Sequence, residues 1–208
     1  MSEVSIHKFS RKLLQRSIFP RLKDYLDWQT GKKELDASRV VPVSINLDLT
    51  TACNFQCDHC CDIHLLNTGK TLKLDYVKNL IADWARRGLK SVILIGGGEP
   101  TLSPYFEEAV GFLKGLSLQV GIASNGSNMK KIENVCHLLG RSDWVRLSLD
   151  VGREGTFQEV HRPKVGITLA EILAGVKRIR RQNASVQLGY SFLIISDGKR
   201  GNNVFLPN

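Results

Sequence analysis

Between residues 41 and 196 the chain alternates short apolar runs with stretches of helical periodicity, and this alternation limits its fold more than any other feature. A helix between two strands carries the chain back to the starting edge of a sheet, so repeated strand–helix units build a parallel sheet. Strands are expected over 43–49, where apolar and polar residues alternate, over 91–95, a buried-type run, and over 118–123, 144–149 and 186–195. Helices are expected over 72–87, 104–116, 130–139 and 169–181. In the first of these Leu74, Val77, Leu80, Ile81 and Trp84 share a face and Gly88 is the stop. The second has Ser103 as N-cap and Pro104 at its first position. A polar loop is expected from Asp150 through Pro163. The segments that follow the strands all lie at one end of such a fold, the edge where βα barrels and open parallel sheets bind ligands.

Outside this core, residues 1–40 read as a basic helical extension and residues 197–208 as a loose polar tail, leaving 41–196 as a single domain. Leu13, Leu14, Ile18, Leu22, Tyr25, Leu26 and Trp28 recur at helical spacing with Pro20 interrupting, which predicts two short helices packed outside the core. A basic arm for RNA or an anionic membrane is the competing reading of this lead-in, and the net charge of +9 does not decide between them. Every apolar run is shorter than the ~20 residues a bilayer span needs, so no membrane partner is expected. Nor does the basic N-terminus carry the apolar stretch of a signal peptide. Five cysteines, an odd number with three clustered, suit thiolates kept reduced for a metal, which points to the cytoplasm.

Those three are Cys53, Cys57 and Cys60, directly after the first expected strand. Three thiols within eight residues cannot all pair as disulfides, and their spacing suits one inorganic centre, read here as an iron–sulfur cluster. Three ligands on a four-iron cube leave one iron open to a guest. A structural zinc ion is the alternative, with Cys61, His59 or His64 as the fourth ligand, although no second CxxC pair is present. Cys61 reads as a bystander and Cys136 as core packing. After the second strand, Gly96 to Pro100 matches no phosphate-binding pattern, and Glu99 would repel a phosphate. Its carboxylate and the free backbone carbonyls of the turn suit an ammonium group.

The CxxxCxxC loop after a strand, with Gly97-Gly98-Glu99 one strand later, resembles the signature of the radical S-adenosylmethionine (radical SAM) enzymes. The resemblance covers about residues 46–195 and implies a partial (β/α) TIM-like barrel with about five βα units, one fewer than the family's usual six, beside the N-terminal helical extension. It implies two cofactors, a 4Fe-4S cluster on Cys53, Cys57 and Cys60 and S-adenosyl-L-methionine. Gly97, Gly98 and Glu99 would contact the methionyl amine, while Ser124, Asn125, Ser148 and Asp150 would face the ribose and carboxylate. Beyond the cluster site the resemblance names no catalytic residue. Phe55 and His59 would line the adenine or pack the loop, and His161-Arg162-Pro163-Lys164 would offer cations to an anion or form an exposed basic loop. The activity implied is reductive cleavage of S-adenosylmethionine to a radical that abstracts hydrogen. Its partners would be a flavodoxin- or ferredoxin-like electron donor and a substrate that is a small molecule, a peptide or RNA. A basic metal-stabilised binding module and an inactive shortened version of the same fold are the competing readings.

Overall fold

A computed structural model describes residues 18–34, 36 and 40–193. Five strands, β1 (Ser44–Leu47), β2 (Ser91–Leu94), β3 (Gln119–Ser124), β4 (Trp144–Ser148) and β5 (Gln187–Ser191), form one all-parallel sheet in sequence order. Among the described residues six α-helices accompany it: α1 (Phe19–Gln29), α2 (Asp75–Arg87), α3 (Phe106–Gly115), α4 (Met129–Val135), α5 (Glu154–His161) and α6 (Leu169–Gln182). The register sets Leu47, Leu94, Ile122, Val145 and Leu188 side by side, a row of apolar side chains across one face. Ile81, Phe106, Leu113, Ile132, Phe157, Ile172 and Ile179 belong to the same buried core. Each large apolar side chain buried this way contributes about 1.5–3 kcal/mol. The layout is that of a barrel wall left open, since the described β1 and β5 are the two ends of the sheet.

On the other face Asn46 and Arg146 are exposed. The Trp144 ring lies across Gly121, where an added Cβ would come within 2.3 Å of it, and the Arg146 guanidinium sits 5.6 Å from the centre of that ring. At the amino edge, Asp143 is fully buried and bonds both Lys114 Nζ (2.8 and 3.0 Å) and the N–H groups of Val120 and Gly140 (2.7 Å each). That carboxylate ties α3, β3 and the approach to β4 together.

Several boundaries differ from expectation for local reasons. Helix α3 begins at Phe106 because Pro100–Leu102 forms a 3-10 turn first, and the Ser103 hydroxyl accepts from the Tyr105 N–H (3.2 Å) at the corner. Helix α4 ends at Val135 and tightens into a 3-10 turn at Cys136–Leu138. Pro20 stands in the first turn of α1, as its fixed φ and missing N–H permit. Arg21 fastens α1 to the core by donating to the carbonyls of Val41 and Arg87 (3.1 Å each). Helix α5 stands where a loop was expected. The first helix expected in the lead-in, with Leu13 and Leu14, lies outside the described residues, as do 194–195 of the last strand and the tail 197–208.

Candidate active site

The segment between β1 and α2 carries three of the five cysteines, and its two ends are pinned together. Thr50 and Thr71 form an antiparallel bridge, Leu72 N–H donates to Leu49 (2.9 Å) and Thr51 N–H donates to Lys70 (2.9 Å). The Asn67 side chain, on a residue with φ of 57°, accepts from the Cys53 N–H (3.0 Å). Cys53, Cys57 and Cys60 are half-buried, whereas Cys61 is exposed. Burial pushes all three thiols up, and their neighbouring negative charges add to the effect. For Cys57 burial comes first, then Cys53, Cys60 and Asp150, which together push it up to about 12. Cys53 is raised by burial and further by Glu99 and Cys60, and Cys60 by burial and further by Cys61 and Asp62. Three partly buried thiolates that repel one another are stable as thiolates only with a cation among them, so the donor set fits a metal centre. Around one zinc ion, bonds of ~2.3 Å would bring the sulfurs to about 4 Å of each other. Among the described residues the group of ligand-type atoms mutually within 4.8 Å is instead His59, Asp150 and His161.

That second group is a hydrogen-bonded anchor. His161 Nε2 lies 2.6 Å from the Leu149 carbonyl, which can only accept, so Nε2 carries a proton and Nδ1 accepts from the Cys57 thiol at 3.1 Å. Burial lowers the His161 pKa, in keeping with the neutral ring. His59 Nε2 lies 3.2 Å from Asp150, whose other oxygen accepts from the Leu193 N–H (2.8 Å). Backbone bonds strap the end of α5 to the cysteine loop: Gln56 N–H to His161 (3.0 Å) and Lys164 N–H to Asn54 (2.8 Å). Arg162, with φ of 43°, forms a paired contact with Asp58 (2.6 Å). Phe55, 1% exposed, meets Phe157 edge-on with ring centres 5.8 Å apart, and His161 at 5.9 Å. Phe55 therefore packs the loop, and His161, Arg162 and the backbone of Lys164 hold it.

The glycine turn presses on the same loop from the other side. Gly96 and Gly97 have φ of 85° and 58°, which favours glycine. A Cβ on Gly98 would stand 2.2 Å from the Ala52 carbonyl, the same oxygen that accepts from the Glu99 N–H (2.8 Å). Glu99 is 3% exposed, and its carboxylate receives Thr101 N–H (3.1 Å), Thr101 Oγ1 (2.6 Å), Ser124 Oγ (2.7 Å) and Asn125 N–H (2.6 Å). Burial nonetheless leaves its pKa raised. The Asn125 amide and the Ser127 hydroxyl donate to Asn54 Oδ1 (3.0 and 3.1 Å), joining the end of β3 to the cysteine loop.

All the segments singled out in the sequence thus meet at one edge. Glu99, Ser124, Asn125 and Asp150 are engaged with protein partners there, and Ser148 is half-buried at the end of β4. Sequence reasoning missed Asn54 as a bracket and His161 as an anchor; Phe157 and His161 at i,i+4 spacing were the available signal of the helix that presents the latter.

Comparison with known proteins bears on this arrangement. The sequence profile of the radical SAM superfamily matches residues 47–199. An S-adenosylmethionine-dependent nucleotide dehydratase from Thermoplasmatales archaeon (strain ISO4-H5) is 28% identical over 130 residues, 59% of this chain and 43% of that protein. The mycofactocin maturase MftC of Mycobacterium tuberculosis is 32% identical over 115 residues, 52% of this chain and 28% of that one. The chain therefore spans less than half the length of these relatives. Among solved structures, Streptococcus suis SuiB bound to precursor peptide SuiA superimposes with a TM-score of 0.60 at 15% identity, covering 93% of this chain and 45% of that one.

Proposed function

Because the chain belongs to the radical SAM superfamily, we propose that it holds a 4Fe-4S cluster on Cys53, Cys57 and Cys60, binds S-adenosylmethionine beside it, and abstracts a hydrogen atom from an organic substrate. The observation that carries the proposal is the set of three mutually repelling, half-buried thiols on one loop, packed against the glycine turn. When bound, the reduced cluster supplies the electron that splits the sulfonium carbon–sulfur bond of S-adenosylmethionine into methionine and a 5′-deoxyadenosyl radical.

The chain's own residues hold and shield. The backbone carbonyls of Gly97 and Gly98 accept from the methionyl ammonium, with the Glu99 carboxylate close behind them. Ser124 and Asn125 at the end of β3, and Ser148 and Asp150 at the end of β4, form the wall toward ribose and carboxylate. The backbone strap between the cysteine loop and the end of α5, with the Asn54 bracket to β3, keeps the loop in one conformation, so little reorganisation accompanies ligand binding. A flavodoxin- or ferredoxin-like protein supplies the electron. The substrate is a peptide or a nucleotide, the two classes that the names of similar proteins carry. No helix among the described residues is long and apolar enough to cross a membrane, and with five cysteines free of disulfides we place the protein in the cytoplasm.

Oxygen-free reconstitution with iron and sulfide tests this reading. It should give about four iron and four sulfide per chain, and 5′-deoxyadenosine on addition of dithionite and S-adenosylmethionine. A colourless protein with one zinc per chain, or a loaded protein that forms no 5′-deoxyadenosine, overturns it.

A further inference from the structure

The face of the sheet turned away from the core carries its own set of side chains. On β4 these are Trp144, Arg146 and Ser148, which alternate with the buried Val145 and Leu147. The register sets Asn46, Ile93, Gly121 and Trp144 in one row across that face, and Ala123, Arg146 and Gly189 in the next row toward the carboxyl edge. Ser148 ends β4 one step further on, so Arg146 stands about 7 Å below it along the strand. The guanidinium thus lies just inside the edge where the cysteine loop and the glycine turn meet.

Arg146 is exposed, and its neighbours in register, Ala123 and Gly189, have the smallest side chains. A Cβ built on Gly189 would meet nothing within 4 Å, so the space on that side is open. Among the described residues the guanidinium has no hydrogen-bond acceptor and no carboxylate partner; its contact is the Trp144 ring, 5.6 Å from the ring centre. An aromatic face attracts the charge but offers the N–H donors no oxygen, and a planar fork of unfilled donors matches a phosphate. The indole beside it adds what a carboxylate would not need, a surface for a planar ring. Trp144 is half-buried and lies across Gly121, where any side chain would collide with it, so the indole covers the sheet as a platform. Half-buried Ile93 continues that row and exposed Asn46 ends it, three strand spacings or about 14 Å from β4. A flat ring, an apolar neighbour and a terminal amide together suit a heteroaromatic base. Asp48, on the same side of β1 as Asn46, is as many strands away, more than a Debye length at physiological salt, and opposes an anion at Arg146 little.

We propose that this open face is the floor of the substrate site and that the substrate is a nucleotide, its phosphate received by Arg146 and its base lying on Trp144 toward Asn46. The proposal rests on the reading that this chain uses S-adenosylmethionine, and it chooses one substrate class within that reading. It sets the nucleotide one strand step from Ser148, in the wall assigned to S-adenosylmethionine.

Equilibrium dialysis on the reconstituted full chain under nitrogen, with S-adenosylmethionine present, tests this with ATP, GTP, CTP and UTP, the matching nucleosides, and an acidic peptide, acetyl-Gly-Glu-Glu-Gly. At least one triphosphate should bind about tenfold or more tightly than its nucleoside. The readout is the ratio of those two affinities, which does not depend on the fraction of protein correctly folded. Arg146→Gln should lower the ratio about 10- to 100-fold, as loss of a charge-assisted hydrogen bond does, with iron content unchanged and S-adenosylmethionine affinity within about twofold. Arg146→Lys should recover part of it, because the charge stays and the fork is lost. Lys177→Gln removes the same charge from an exposed position on α6 and should leave the ratio within about twofold. Trp144→Leu should weaken nucleoside and triphosphate alike, by about fivefold or more. With S-adenosylmethionine still bound, the assignment is overturned by no triphosphate preferred over its nucleoside, a ratio that Arg146→Gln leaves intact, an equal fall in Lys177→Gln, no loss in Trp144→Leu, or binding of the peptide alone. Failure of the wild-type loaded chain to bind S-adenosylmethionine sinks the underlying reading instead, and this one with it.

Discussion

Asp143 and Asp48 sit at opposite ends of the same sheet and live in opposite conditions. Asp143, fully buried at the amino edge, has one ammonium and two backbone N–H groups as partners. Asp48, exposed at the carboxyl edge, has no described donor and lies against the glycine turn, at the edge that also carries three thiols whose pKa burial raises. One end satisfies its polar groups internally and gains stability. The other satisfies Glu99 and Asp150 internally but leaves the Asp48 carboxylate without a described donor, at the edge where parallel βα folds place their ligand sites.

The sharpest way to break this contrast is to remove the sulfurs. Cys53→Ala, Cys57→Ala and Cys60→Ala should each take iron from about four to below about one per chain, while Cys61→Ala keeps it. Iron loss in Cys61→Ala alone would place the centre elsewhere. Next in size, Asp143→Ala strands Lys114 and two N–H groups, and should cost about 3–5 kcal/mol, seen as a fall of roughly 10 °C in unfolding temperature. Asp48→Asn should shift that temperature by less than about 2 °C, and an equal fall in both variants would erase the difference between the edges.

A smaller effect is expected in alkylation of the iron-free protein. At pH 8, exposed Cys61 should react at least about tenfold faster than Cys57, since a thiol pushed up to about 12 holds little thiolate there. Raising the pH increases the Cys57 thiolate fraction, so the gap should narrow by pH 10; peptide mapping by mass spectrometry reads both sites. Least of all, Arg162→Ala breaks an ion pair whose partners are each more than half exposed, and should change stability by under about 1 kcal/mol in urea titration.

The alternation of strand and helix patterns was legible because buried apolar rows repeat along the chain, and so was the meeting of Cys53, Gly97 and Asp150 at one edge. Gly88 ended α2 as expected, with φ of 118°. Helix α5 was not legible: Glu154, Gln158 and Glu159 make its outer face resemble a polar loop, and only Phe157 and His161 are buried. The full engagement of Glu99 was also hidden, because two of its four donors, the Ser124 hydroxyl and the Asn125 N–H, come from one strand away. Sequence shows which groups can bind an ammonium; only tertiary contacts show which are already engaged.

The strap between residues 54–56 and 161–164 has an evolutionary consequence. Two carbonyl–amide links and an acid–guanidinium clasp fix the distance between two surface segments about a hundred positions apart, so neither can lengthen without moving the sulfur ligands. Insertions and deletions that retune what the protein acts upon are therefore expected in 151–153 and 165–168, on either side of the strap, while the few residues inside it keep their count.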